Sequence, residues 1–307
     1  MSLHTMASQM GMLVALLAIP VNAQHRIQLE PSKPTSDSAD RATWFPKPLQ
    51  TYSGTIDQID ERQISILVSG QSVPERFAIE RLIHAELTSV PESQKTAIDA
   101  FKEKRFTESL TGLIECVSQP DPDQRPPVWR QQWLSMLASQ AAMRSGRGEI
   151  ALELVKQLDA RPMPSFVMGL LPVDWNGSTD PNLFDSATKM AASESLAVKL
   201  VAASWLLRSP KYRPAAEVAL ARLAKQNEHP AVAMIASQLL WQSKSPTEIR
   251  DEWSNWKSQW EKLPMALQAG PLISMLVTAK RLGMSDEAKE LELCLRHSAP
   301  TWHPDLP

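Results

Sequence analysis

Hydrophobic and polar positions follow two rhythms along this chain, with the change near Pro91. From Tyr52 to Leu87 apolar residues alternate with polar ones. Tyr52, Ile56 and Ile59 stand among polar neighbours, Ile64, Ile66 and Leu67 follow Asp60-Glu61, and RFAIERLIHAEL alternates again after the turn-like SGQSVPE. Period-2 runs between turn clusters predict short strands, here four in an antiparallel meander. A sheet that small is marginal alone, so it is expected to pack on the helical part of the chain.

From Pro91 to the end the spacing is helical. Ala97, Ala100 and Phe101 fall at i, i+3 and i+4. After a break at Lys104-Arg105, Phe106, Leu110, Leu113, Ile114 and Val117 continue the pattern. Further helices are predicted over about 128–144, 149–158, 183–208, 213–225, 230–241 and 246–262, with a Pro-rich excursion between the second and third. Pro214, Pro230 and Pro246 sit at helix starts, where a missing N–H costs nothing.

The segment AIDAFKEKRFTESLTGLIECVSQP resembles one tetratricopeptide repeat, with Ala97, Phe101, Phe106, Leu110 and Pro120 in its small, aromatic and proline positions. The repeat's loop glycine is replaced by Lys or Arg, and its second-helix small residue falls at Ser109. Two more segments resemble it. One carries Ala138, Ala142, Ala151 and Leu154 around Ser145-Gly146-Arg147-Gly148; the other carries Ala279, Leu282, Gly283, Ala288 and Leu291, with Pro300 beyond. The resemblance implies a mainly α protein, an αα-solenoid of tetratricopeptide-like hairpins over 91–307. In front of it, over 51–90, stands a small antiparallel β-module similar to SH3-like or Sm-like meanders in its Gly54, Ile56, Ile59, Ile64 and Ile66 pattern, expected to cap the first helices.

Ahead of both lies an address. Met10 to Ile19 is an uncharged apolar run, Pro20 breaks it, and Val21 and Ala23 are small residues at −3 and −1. This predicts a signal peptide over 1–23, cleaved after Ala23, although its first residues contain no Lys or Arg. The run is too short for a permanent anchor, and no Cys stands next to the cleavage point for lipid attachment. Residues 24–50 are polar and Pro-rich and are read as a disordered linker, with Trp44 and Phe45 docking at its end.

Composition narrows the function classes. Thirty-two basic against thirty-four acidic residues leave a net charge of −2, with no basic excess to follow a phosphate backbone, so no nucleic-acid partner is expected. Ten Gly against 24 Pro suit helices ended by proline better than a protein of tight hairpins. Two Cys exclude a disulfide scaffold and a Cys-rich zinc module. Cys116 and Cys294 read as buried thiols on separate helices, the alternative being one long-range disulfide.

Candidate chemistry is sparse. The six His (4, 25, 84, 229, 297 and 303) form no HExxH, HxH or Cys/His set, so no metal or cofactor is expected. His297 reads as favouring a helix C-terminus and His303 as solvated. Asp174 to Asp180 brings oxygen groups together, but its glycine is misplaced for a calcium loop and no closing Glu is present. A turn with Asp180 capping ahead of Pro181 is the better reading. No GxSxG, Walker A or GxGxxG motif is present. The sharpest candidate is Trp253, Trp256 and Trp260, spaced i, i+3 and i+7 on one helix face. Buried, that face is core packing, the reading Trp usage favours; exposed, it is a platform for sugars or peptides. Tetratricopeptide arrays are interaction scaffolds that seldom catalyse. The resemblance therefore implies an exported, non-enzymatic module that holds a protein or peptide partner. The alternative is a cell-wall or polysaccharide binder working through the Trp face.

Overall fold

A computed structural model describes residues 24–32, 49–60, 62–119, 125–177, 180–297 and 303–305. The expected signal peptide, Trp44, Phe45, Pro120 and Pro300 lie outside the described residues.

The alternating segment forms four strands, β2 (Gln50–Ile59), β3 (Gln63–Val68), β4 (Glu75–Ala78) and β5 (Leu82–Leu87). A fifth, β1 (His25–Leu29), comes from the stretch read as linker. All pairings are antiparallel, in the order β4-β3-β2-β1-β5. Only β2, β3 and β4 form the expected meander; a 3-10 turn at Ile79–Arg81 leads the chain to β5 on the far edge. Ile27 lies opposite Tyr52 on one side and Ala85 on the other. The disordered-linker reading is therefore corrected at its start: His25, Ile27 and Leu29 alternate and are all buried. Five residues paired on both edges offset their ordering entropy, and averaging them with the Pro-rich residues behind hides that signal. Gly54 is required where β2 crosses β3, because a Cβ there would lie 2.0 Å from the Leu67 carbonyl oxygen.

Thirteen helices come after the sheet among the described residues, so the protein is mainly helical with a small N-terminal antiparallel sheet. The first pairs are α1 (Glu92–Lys102) with α2 (Phe106–Val117), and α3 (Val128–Arg144) with α4 (Gly148–Asp159). The Pro-rich excursion contains a short helix, α5 (Ser165–Met168). The helix expected over 183–208 is broken into α6 (Phe184–Met190) and α7 (Leu196–Leu206). Ser195 caps α7 by accepting from the Val198 N–H while its hydroxyl donates to Asp159 at 2.6 Å. Next come α8 (Arg213–Leu223) and α9 (Pro230–Leu240), then α10 (Pro246–Asp251) and α11 (Trp253–Glu261) in place of one continuous helix. Ser245 and Glu248 form a reciprocal capping box at the start of α10. The last pair is α12 (Ala269–Arg281) with α13 (Ser285–His297). Pro214, Pro230 and Pro246 all stand in first turns.

Three of these hairpins share one turn. In each, an N–H just past the helix end donates back to a buried alanine carbonyl: Arg105 to Ala100 at 2.8 Å, Arg147 to Ala142 at 2.8 Å, and Met284 to Ala279 at 3.0 Å. The residue immediately before each donor is left-handed: Lys104 (φ 63°), Gly146 (φ 74°) and Gly283 (φ 70°). This is the Schellman stop, which satisfies carbonyls left over at a helix end. The helix crossings of the first two also match. Ser109 Oγ donates to the Ala97 carbonyl at 2.8 Å across α1 and α2, and Ser139 Oγ donates to the Ala151 carbonyl at 2.9 Å across α3 and α4.

One apolar core runs from Ile27, Ile66 and Leu82 in the sheet through α1–α9. The sheet is not confined to the first helices. β5 packs on α5 and on a 3-10 turn at Met265–Leu267, and His25 meets Trp129 of α3 edge to face at 5.7 Å.

Candidate functional site

The Trp face is closed to ligands. Trp253, Trp256 and Trp260 are 8%, 0% and 4% exposed and form a second core with Trp241, Leu272 and Met275. Trp241 and Trp256 stack at 5.2 Å, and Trp253 meets Trp256 edge to face at 5.5 Å. Two indole N–H groups on this face are satisfied internally, Trp256 by Gln238 Oε1 at 2.9 Å and Trp260 by the Gln268 carbonyl at 3.0 Å. A platform needs an open ring face, so the candidate ligand-binding face is corrected to core.

In the 174–180 stretch the described oxygen groups are engaged internally. Asp174 accepts the Gly177 N–H at 2.7 Å and pairs with Arg208 at 3.3 Å, while Arg208 donates to Gln242, which donates in turn to Ser274. Asp180 caps as expected, its side chain accepting the Asn182 N–H just past Pro181. Cys116 and Cys294 are both free; burial pushes each thiol's pKa up, away from the reactive thiolate. Among the described residues no three His, Cys, Asp or Glu gather to hold a metal ion.

Two concave places stand out among the described residues. A groove of about 650 Å³ runs along α1 and α2 over Thr96, Ala97, Thr107, Thr111 and Gly112. Its floor is close because the helices meet through small residues: a Cβ on Gly112 would lie 3.0 Å from that of Ala97. Glu108 and Glu115 stand along its side.

The second is a cavity of about 220 Å³ where β5, α1, α3 and α5 meet. Its walls are largely apolar, with Ile83, Ile98, Trp133, Phe166 and Leu170, yet ionisable groups also line it, among them His84, Glu86, Arg130 and His303. Lys102 of α1 lines it too, its ammonium paired with Asp99 at 3.3 Å. Arg130 is 3% exposed, rests on the Trp133 ring at 4.5 Å, and donates from Nε to Gln94 Oε1 at 3.1 Å. Burial pulls its pKa down to about 10. Burial also lowers that of His84, against the opposing pull of Glu86. Glu86 itself is occupied by Arg26 at 3.2 Å.

His303 corrects a further expectation. It is 2% exposed rather than solvated, with its pKa lowered by burial to about 4. The reason lies two residues on, where Asp305 pairs with Arg144 at the end of α3 and holds the tail down. His303 Nδ1 accepts the Asp305 N–H at 3.1 Å, and its Nε2 has no partner among the described residues. The group escapes a reading of the sequence because Arg130, His84 and His303 are far apart in the chain. The only local signal is a lone charge between Trp129 and Trp133. The chain matches no family model, and no curated protein or solved structure matches it.

Proposed function

We propose that this protein is an exported, non-enzymatic scaffold in which tetratricopeptide-like hairpins, arranged as a solenoid, hold a protein or peptide partner. The observation that carries this reading is the shared Schellman turn and matched small-residue crossing of α1/α2 and α3/α4, with the same turn in α12/α13. Helical pairs that reuse one turn can stack through similar faces, and the first pair carries a groove of its own along α1 and α2. Its threonines and glutamates suit a backbone-exposing or basic segment. Export is consistent with strand β1 beginning at His25, two residues past the expected cleavage after Ala23: the mature chain would enter the sheet at once, with the Gln24 carbonyl accepting the Thr88 N–H at 3.0 Å. The burial of Trp253, Trp256 and Trp260 removes the feature on which the polysaccharide alternative stood.

The test immobilises the mature form, Gln24 to Pro307, and passes over it an extract of its own cell envelope. One protein partner is expected to be retained reproducibly, and to be lost when Thr111→Trp fills the groove. Retention only by insoluble wall material, unaffected by Thr111→Trp, overturns the scaffold reading.

A further inference from the structure

The cavity beneath β5 has donors without acceptors. Nδ1 of His303 accepts a backbone N–H, so the neutral ring carries its proton on Nε2, and that N–H is buried with no partner among the described residues. Arg130 arrives from α3. Its Nε is used by Gln94, while its terminal nitrogens make no hydrogen bond among the described residues. Buried polar groups are normally satisfied, which makes the Nε2–H of His303 the exception on this wall. Of the two acidic neighbours, Glu86 is held by Arg26 at the cavity's edge, and Asp305 by Arg144. Lys102 is likewise paired, with Asp99 at 3.3 Å, so the charge left without an ion-pair partner among the described residues is that of Arg130. The rest of the wall is aliphatic and aromatic, and the volume equals that of about seven waters at ~30 Å³ each.

We infer that this cavity binds a small organic carboxylate with an apolar body, the oxyanion accepting from Arg130 and from Nε2–H of His303 while the body lies among Ile83, Ile98, Trp133 and Phe166. An ionised oxygen pair suits a guanidinium fork, and the charge-assisted bonds satisfy both donors at once. This site stands on the cavity alone and holds whether or not the scaffold reading does. A free aliphatic or aryl acid and the C-terminal carboxylate of a peptide share this chemistry.

The probe is 3-phenylpropionate, titrated into the mature chain and followed by Trp fluorescence and calorimetry, with 3-phenylpropanamide as its uncharged match. The acid is expected to bind at least about tenfold more tightly than the amide, the size of one charged hydrogen bond. Arg130→Gln is expected to abolish that preference, and His303→Phe to weaken the acid while sparing the amide. Should either variant fail to fold, the comparison of acid with amide on the unmodified chain still decides. Equal affinity for the two, or no heat and no fluorescence change with either, overturns the inference. A tetrapeptide ending in phenylalanine that displaces the acid, while its C-terminal amide does not, identifies a chain terminus as the ligand. Binding of the free acid alone identifies a small molecule.

Discussion

Lys104 holds a backbone conformation that its two counterparts assign to glycine, with φ at 63°. A side chain in the left-handed region costs roughly 1–2 kcal/mol, partly offset in a glycine variant by extra freedom of the unfolded chain. Lys104→Gly is therefore expected to raise stability by about 0.5–1 kcal/mol and Tm by a degree or two, whereas Gly146→Ala and Gly283→Ala lower both. Thermal unfolding of the three variants checks the sign. The substitution of the loop glycine was legible in the sequence; that Lys104 in particular takes the left-handed place was not, since Arg105 is its neighbour. Trp256 shows the opposite limit. Its spacing put it on a face, but only packing determined that the face is closed. Trp256→Ala is expected to cost about 3–5 kcal/mol in denaturant unfolding and to leave Gln238 unpaired. His303 carries the pH dependence. Its pKa is near the ordinary 6.5 when unfolded and about 4 when folded, so between those values the unfolded chain binds the extra proton. Stability is full above about pH 6.5 and falls as pH drops toward 4, with His25 and His84 acting in the same direction. Denaturant midpoints between pH 7 and pH 4 read this directly, and His303→Phe should flatten the curve.

Elements were legible where their pattern was local. The helix over 128–144 has the bounds its period predicts, because a 17-residue run with apolar residues on successive turns has one way to lie down. Breaks were not legible. The run over 246–262 carries helical spacing throughout, yet its helices part at Glu252, whose N–H closes α10 on Glu248 while its carbonyl starts α11 by accepting from Trp256. At the hairpin crossings the serine lies on α2 in one pair and on α3 in the other, so the hydrogen bond is kept while the donor changes helix. Ser109→Ala and Ser139→Ala are each expected to cost about 0.5–1.5 kcal/mol, without change in helix content by circular dichroism. A loss above that range in one variant alone would separate the two crossings.

At the scale of the whole molecule the sheet shares one core with α1–α9, so it stabilises more than the first hairpin. β1 is its joining strand: among the described residues β5 pairs with no strand other than β1, and the meander of β2, β3 and β4 joins it only through β1. A chain beginning after Leu29 is expected to lose hydrogen-exchange protection along β5 and to expose Leu82 and Ala85, lowering solubility. Unchanged protection along β5 would mean that α5 and the 265–267 turn hold that strand without it.

What the sequence determined by itself is periodic: strands before Pro91, helices after it, and the apolar stripe of the three tryptophans. Each depends on neighbours within a few residues, where spacing and turn chemistry act directly. What only the tertiary structure decided is non-local. It set which strand fills the middle of the sheet, which face of the Trp helix meets solvent, and the meeting of Arg130 with His303. Those outcomes turn on burial and on partners remote in the chain, where the entropy of a five-residue strand or a buried charge is offset by contacts that no local pattern encodes.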